Sequence, residues 1–396
     1  MDDEYKSTIM LLSISFILVS INGTIFWTIF RVFIYVIGGT FTQIALVSVI
    51  QNMFSVFLSP FWGSLGDELN KRKPFIVFGS AAIAFFTPLF IYAKSVTEYL
   101  VIFIFASLTT SMVNPNLNAL ISGIAEKEYR GRALGYFLGI SAIGWTLGGI
   151  LSGAIAEIVG MDYVFFTAGV IGIMGALLVL LFLKEEGESS KKLGDAAGRA
   201  WKNVIETFRI EGNPNLNTLL LAVILHGTGG GIFFTLFQIK FFESIGRSFI
   251  LYGIVSGLSG IGSIIAPPLY GSLADKMGRK IVMQATLFIY SLYFVVLGLL
   301  WDPIILTILW FLPLWPGVRI SSVALVADIA EEKEMGRYQG FLESSAAIAR
   351  MLGALLGGIF ADIFRARADI FVIDKILIFA AIGPLLSAII ISKLKV

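Results

Sequence analysis

GSLADKMGRK runs from Gly271 to Lys280, and GSLGDELNKRK runs from Gly63 to Lys73. Nearly the same charged phrase thus stands twice in one chain, 208 residues apart (271 − 63). A longer pair widens the echo. AEKEYRGRALGYFLGISAIGWTLGGILSG (125–153) lines up with AEEKEMGRYQGFLESSAAIARMLGALLGG (330–358) at a shift of 205 (330 − 125). Two matched phrases at nearly one offset make the halves copies of each other, in the same order and orientation.

The residues around these phrases are apolar. Hydrophobic types make up 57% of the chain and charged types only 14%, where a water-facing globular protein carries roughly 25% charge. Runs of about 20 apolar residues, enough to cross a hydrocarbon core about 30 Å thick, recur along almost the whole sequence. An all-α membrane protein is therefore expected, since only helices or closed barrels satisfy their backbone groups in lipid. The opening MDDEYKSTIM has an acidic start and leads into a stretch longer than a signal core, so no removable signal peptide is expected. The chain has no cysteine and one histidine, His226, which removes thiol chemistry and nearly all nitrogen and sulfur metal ligands.

Twelve apolar segments are expected near 8–34, 41–62, 74–93, 98–123, 132–158, 162–183, 216–241, 248–270, 281–300, 303–329, 337–363 and 370–392. They form two pseudo-symmetric six-helix halves, 1–183 and 216–396. Between them, 184–215 reads as a polar central linker with a short surface helix around Trp201–Phe208. Basic residues divide unevenly between the two sets of loops. One set holds Lys6, Lys71, Arg72, Lys73, Lys127, Arg130, Arg132, six in the linker, Lys276, Arg279, Lys280, Lys333, Arg337, Lys393 and Lys395; the other holds Lys94, Arg247, Arg365, Arg367 and Lys375. Positive loops stay inside, which puts both termini in the cytoplasm of a multi-pass protein of the cytoplasmic membrane.

Internal duplication of this kind belongs to secondary transporters, whose site at the repeat interface opens to each side in turn. In its doubled loop phrase the chain resembles a major facilitator superfamily transporter over essentially its whole length. The family pattern G-x-L-A-D-x-x-G-R-K stands intact as Gly271, Leu273, Ala274, Asp275, Gly278, Arg279 and Lys280. The first copy keeps Gly63, Leu65, Asp67, Lys71 and Arg72, but has Glu68 where the family has a basic residue and Asn70 where it has glycine. The resemblance implies a conformational latch at these loops. It also implies that Asp328, whose counterpart in the first half is Gly123, pairs with Arg279. The family's antiporter pattern ends in Gly-Pro in the fifth segment; here Gly144-Trp145 stands instead, a departure from the drug-antiporter branch. Glycines along the fifth and eleventh segments suit close helix approach, and Pro313 and Pro316 mark a break in the tenth.

Charges at membrane depth are functional candidates. Arg31 and Lys240 fall near segment ends and can snorkel, whereas Arg319, Arg350 and Glu343 are deep. At 1.5 Å per residue, Glu343 and Arg350 lie roughly 10 and 20 Å in from the start of their segment, and Arg319 roughly 15 Å in from the end of its own. An Arg319–Glu343 pair follows, either as a brace or with Glu343 carrying a coupling proton. The surplus of positive charge favours an organic anion as substrate. Trp27, Phe30, Asn114, Asn116, Asn118, His226, Phe233, Phe234 and Gln238 are candidates for the lining.

The expected activity is secondary active transport of a small organic solute by a monomer in the lipid bilayer, with protons as coupling ion and without cofactor, metal or nucleic acid. Efflux of amphipathic drug-like compounds is the other reading. An intramembrane enzyme or a membrane sensor is the remote one. Gly257-Leu258-Ser259-Gly260 superficially resembles a rhomboid serine motif, but His226 precedes it where that family's histidine follows. No phosphate-binding G-x-x-x-x-G-K-[ST] loop occurs.

Overall fold

The computed structural model describes residues 3–124, 130–183, 193–207, 213–331, 334–364 and 366–395; of the charges used for orientation, Lys127, Lys184, Lys191, Lys192, Arg209, Lys333 and Arg365 lie outside them. The helices are α1 (Asp3–Val36), α2 (Phe41–Leu69), α3 (Lys73–Leu89), α4 (Val96–Thr110), α5 (Val113–Ile124), α6 (Arg130–Ile158), α7 (Met161–Phe182), α8 (Leu193–Thr207), α9 (Pro214–Ser244), α10 (Phe249–Met277), α11 (Arg279–Leu299), α12 (Pro303–Trp310), α13 (Trp315–Ile329), α14 (Met335–Ile363), α15 (Val372–Ala380) and α16 (Ile382–Ile391). Among the described residues they supply 12 apolar spans, with α4/α5, α12/α13 and α15/α16 each forming one interrupted span. Proline lacks the amide that would bond four residues back, and Pro115, Pro316 and Pro384 accompany these three interruptions.

Two compact units result: residues 1–30, 57–206 and 248–264 in one, and 31–56, 207–247 and 265–396 in the other. In the first, Phe26, Phe30, Phe90, Phe103 and Phe165 form a fully buried aromatic cluster, with Phe30 stacked on Phe103 at 4.8 Å. Asn22 donates its buried side-chain amide to the Ala168 carbonyl. Helices α6 and α10 meet backbone to backbone: a Cβ on Gly149 would stand 2.6 Å from Gly257 Cα, and one on Gly253 2.5 Å from the Gly149 carbonyl oxygen. Ser259, in the stretch with the superficial serine motif, donates to the Ser256 carbonyl of its own helix at 2.7 Å.

The linker helix α8 belongs to this unit and starts earlier than the Trp201–Phe208 expectation. Its apolar residues recur at three and four residues, which buries Ala196, Ala200 and Val204 on one stripe. Arg199 pairs with Glu68 at 3.5 Å, Asn203 donates to the Ser64 hydroxyl at 2.9 Å, and Trp201 lies 4.9 Å from the Phe61 ring. Glu68, the departure from the family pattern, thus answers a basic residue of the linker.

In the second unit α9 and α14 pack through small residues. A Cβ on Gly353 would meet the Thr228 carbonyl oxygen at 2.0 Å, and one on Gly231 the Arg350 carbonyl oxygen at 2.3 Å. Phe233 and Phe294 stack at 3.9 Å. Lys240 does not snorkel. Its side chain is 0% exposed, and Nζ donates to Asp374 and to the Gly298 carbonyl, both at 2.6 Å, while lying 4.7 Å from the Trp301 ring centroid.

One arrangement occurs in both units. Asp362, at the end of α14, accepts from the Phe41 and Thr42 amides at 2.8 Å each, the first amides of α2. Glu157, at the end of α6, accepts from the Ile250 amide at 2.9 Å and the Ser248 hydroxyl at 2.7 Å, at the start of α10. The carboxylates are 205 residues apart (362 − 157) and the amides of Thr42 and Ile250 208 apart (250 − 42), the offsets of the two sequence repeats. A carboxylate satisfies amides that have no partner within the helix and complements the positive end of its dipole. Arg367 completes the second-unit copy by donating to the Tyr35 and Gly39 carbonyls, at 2.8 Å each, where α1 ends.

Candidate functional site

The repeated loops each turn through a residue of positive φ but differ in length and in side-chain partners: three residues separate α2 from α3 and one separates α10 from α11. Gly278 has φ 92° and Asn70, at the corresponding turn, φ 52°. Asparagine tolerates this left-handed conformation better than other side chains, so the exchange of glycine for Asn70 leaves the turn intact. In the second copy, Arg279 donates to Asp328 and, at 2.9 Å, to the Ala324 carbonyl. Lys280 reaches the Leu394 carbonyl at 2.6 Å. Gly271 is half-buried, and Asp275 is exposed with no hydrogen bond or ion pair among the described residues. In the first copy Arg72 turns to Asp67 of its own loop at 2.6 Å. Gly63 sits against Pro115, Gly66 leaves no room for a Cβ beside Asn116 Oδ1, and Lys71 is half-buried.

The second unit gathers the deep charges. Arg319 Nη2 and Glu343 Oε1 are 2.9 Å apart, the pair expected from depth, with side chains 61% and 47% exposed. Arg31 donates from Nη2 to Gln51 Oε1 at 2.9 Å and from Nη1 to Gln238 Oε1 at 3.3 Å. Arg350 Nε donates to Asn52 Oδ1 at 3.4 Å, near the limit for such a bond, and this is its hydrogen bond among the described residues. Arg350 lies about 22 Å along α14 from its start and Asn52 about 16 Å along α2. Both are therefore at mid-span, yet Arg350 remains exposed. His226 faces the Tyr290 ring at 4.9 Å, and its buried Nδ1 has no hydrogen-bond partner among the described residues.

Several expected lining residues belong to the packing instead. Phe30 and Phe233 are fully buried in aromatic stacks, and Asn116 is buried, donating to the Trp62 and Met112 carbonyls at 3.2 and 2.9 Å. Asn114 and Asn118, one turn apart in the first unit, are exposed. Gln51 and Asn52 were not anticipated. Their signal is an adjacent amide pair in the middle of an apolar run, in a position where polar side chains are costly unless they bond.

Chemically, the cluster offers guanidinium groups held by amide oxygens, with one carboxylate already engaged. A guanidinium presents five donors in a planar fork suited to carboxylate or phosphate. Arg350 uses Nε weakly, in its 3.4 Å contact with Asn52.

The family model described as Major Facilitator Superfamily matches residues 12–218 and again 219–394. A multidrug resistance protein MdtG from Enterobacter lignolyticus is 26% identical over 347 residues, covering 85% of this chain and 80% of its own length. The protein of that name from Dickeya zeae is 25% identical, covering 86% and 83%. Among solved structures, the nucleoside transporter NupG superposes with a TM-score of 0.76 at 15% identity over 98% of this chain and 99% of its own. A bacterial homologue of the human lysosomal transporter Spinster, inward-facing and occupied, gives 0.74 at 14% identity over 99% and 97%.

Proposed function

From the premise that this chain belongs to the Major Facilitator Superfamily and is a membrane-spanning transporter of small molecules, we propose that its solute carries an anionic group held by Arg350. The observation carrying this reading is an exposed residue with its guanidinium at mid-span, whose hydrogen bond among the described residues is one long contact to Asn52. A charge at that depth is expensive in hydrocarbon, and charges kept there mark solute or ion pathways. Arg31, aligned by Gln51 and Gln238, extends the same positive wall.

Glu343 is the coupling-proton carrier in this proposal. Its carboxylate is half exposed and bonded to Arg319, so taking up a proton releases Arg319. Linking solute movement to that exchange requires alternating access. The basic loops, both termini and the linker lie on the cytoplasmic side. The Arg279–Asp328 contact at the Gly278 turn then acts as a cytoplasmic latch, and Asp275, exposed and unbonded, is available to it in the other state. Glu343→Gln should abolish proton-driven accumulation while leaving solute exchange within about twofold; unchanged proton dependence would rule Glu343 out.

A second reading, movement of amphipathic drug-like compounds, is favoured by the names of the MdtG relatives and by Phe234, which is 45% exposed. A thermal-shift screen of the purified protein against organic anions and lipophilic cations separates the two. A ligand at 100 times its dissociation constant stabilises by roughly 2.7 kcal/mol. Anion hits that weaken about 10-fold or more in Arg350→Gln establish the arginine site, the loss expected of a hydrogen-bonded charge. Cation hits indifferent to that substitution establish the second reading.

A further inference from the structure

Helix α8 keeps three large apolar side chains exposed. The stripe Ala196, Ala200 and Val204 is buried, but the neighbouring row remains open, with Leu193 63%, Trp201 44% and Ile205 65% exposed. Successive residues turn 100° about the axis. The open residues therefore span an arc of about 120°, from Leu193 on the side of the buried stripe through Trp201 to Ile205, and Lys202, also exposed, lies about 60° beyond Ile205.

Contacts with α2 fix how deep this row lies. Phe61 stands about 30 Å along α2 from Phe41, and Glu68 about 40 Å. A hydrocarbon core about 30 Å thick, flanked by headgroup layers, ends near Phe61 when it begins near Phe41. Trp201 touches Phe61, Asn203 bonds Ser64, and Arg199 pairs with Glu68. The helix is thereby held across the boundary between acyl chains and headgroups. Tryptophan favours that layer, where its ring is in the apolar region and its N–H reaches water. An amphipathic helix with an apolar row beside a charged edge lies in this plane.

We infer that α8 is a lipid-contacting helix: its row Leu193–Trp201–Ile205 inserts into the membrane interface, and its docking on Ser64 and Glu68 ties the first latch loop to the bilayer. The partner is the phospholipid surface of the leaflet on the linker's side. This explains why an acid replaces the family's basic residue at Glu68: it anchors Arg199 of a helix whose open face meets lipid. The inference does not depend on which solute is carried or on the proton-carrier role of Glu343.

The chain contains no cysteine, so single cysteines can be placed without a prior background. Leu193→Cys, Ile205→Cys and Lys202→Cys are each spin-labelled in the full chain, reconstituted in phosphatidylethanolamine–phosphatidylglycerol nanodiscs. Collision rates are then read with molecular oxygen and with a water-soluble nickel chelate. The inference requires oxygen to dominate by several-fold at 193 and 205, and nickel at 202. Nickel access at 205 equal to that at 202 would place the row in water and overturn it. An immobile label protected from both reagents would place a protein partner there and overturn it equally. Glu68→Arg should raise nickel access at 205, and adding Arg199→Glu should restore protection. Unchanged access in the single variant would refute the docking half of the inference.

Discussion

Lys240 has its ammonium where water does not reach, surrounded by the Asp374 carboxylate, the Gly298 carbonyl and the Trp301 ring, whose N–H in turn donates to Asp374 at 2.8 Å. A buried pair of this kind gains little over an apolar replacement of both members, but losing one member leaves the other uncompensated, at about 3–5 kcal/mol. Lys240→Met is therefore expected to lower the unfolding midpoint sharply, and Lys240→Met with Asp374→Leu to recover most of the loss; a thermal melt in detergent checks both. The charges themselves were legible in the sequence because apolar context makes each conspicuous. Arg319 found Glu343 by depth arithmetic alone. Partners less conspicuous than a charge were not read: Gln51, Asn52 and Trp301 are ordinary residue types whose roles depend on which helix stands opposite. Lys240 was misread for the same reason, since a position near a segment end fits snorkelling until Asp374 is seen across from it.

Helices approach backbone to backbone where glycines of two chain segments coincide. Gly149 and Gly153 of α6 face Gly253 and Gly257 of α10, and the ideal Cβ of Gly253 would stand 2.5 Å from a backbone oxygen. No flexible side chain can yield there, so overpacking costs at least the usual 1–3 kcal/mol or so. Gly253→Val should fold poorly or melt earlier, whereas Gly271→Val, which has open space around it, should melt within about 1 °C of the parent. Differential scanning fluorimetry of both variants decides. The glycine richness of these segments was readable, and so was the break at Pro313 and Pro316, where α12 gives way to α13. The interruptions beside Pro115 and Pro384 carried the same signal but were passed over inside longer apolar runs. The linker helix was found too short because alanines at positions 196 and 200 contribute periodicity without much hydrophobicity.

Across the whole molecule the duplication governs more than the loops that revealed it. Carboxylates at Asp362 and Glu157 bind the first amides of α2 and α10 at the ends of those helices remote from the Asn70 and Gly278 turns. Asp362→Asn combined with Glu157→Gln keeps the shape and removes the charge. With Thr42→Cys as the only cysteine, labelling by a membrane-impermeant maleimide should then speed up several-fold; an unchanged rate would show that these contacts do not hold that end shut. The same duplication sets two prolines 208 residues apart (268 − 60). Helix α2 passes from one unit to the other between Val56 and Phe57, and α10 does so between Ile264 and Ile265. Pro60 and Pro268 cannot donate to the carbonyls four residues earlier, those of Val56 and Ile264. The ladder of α2 therefore lacks one rung, and that of α10 two because Pro267 precedes Pro268, at the point where each rod changes allegiance, and bending there breaks no hydrogen bond at those rungs because none was formed. The flexure needed for an alternating carrier is in this way set into the covalent chain, at two matching points, before any solute or proton arrives.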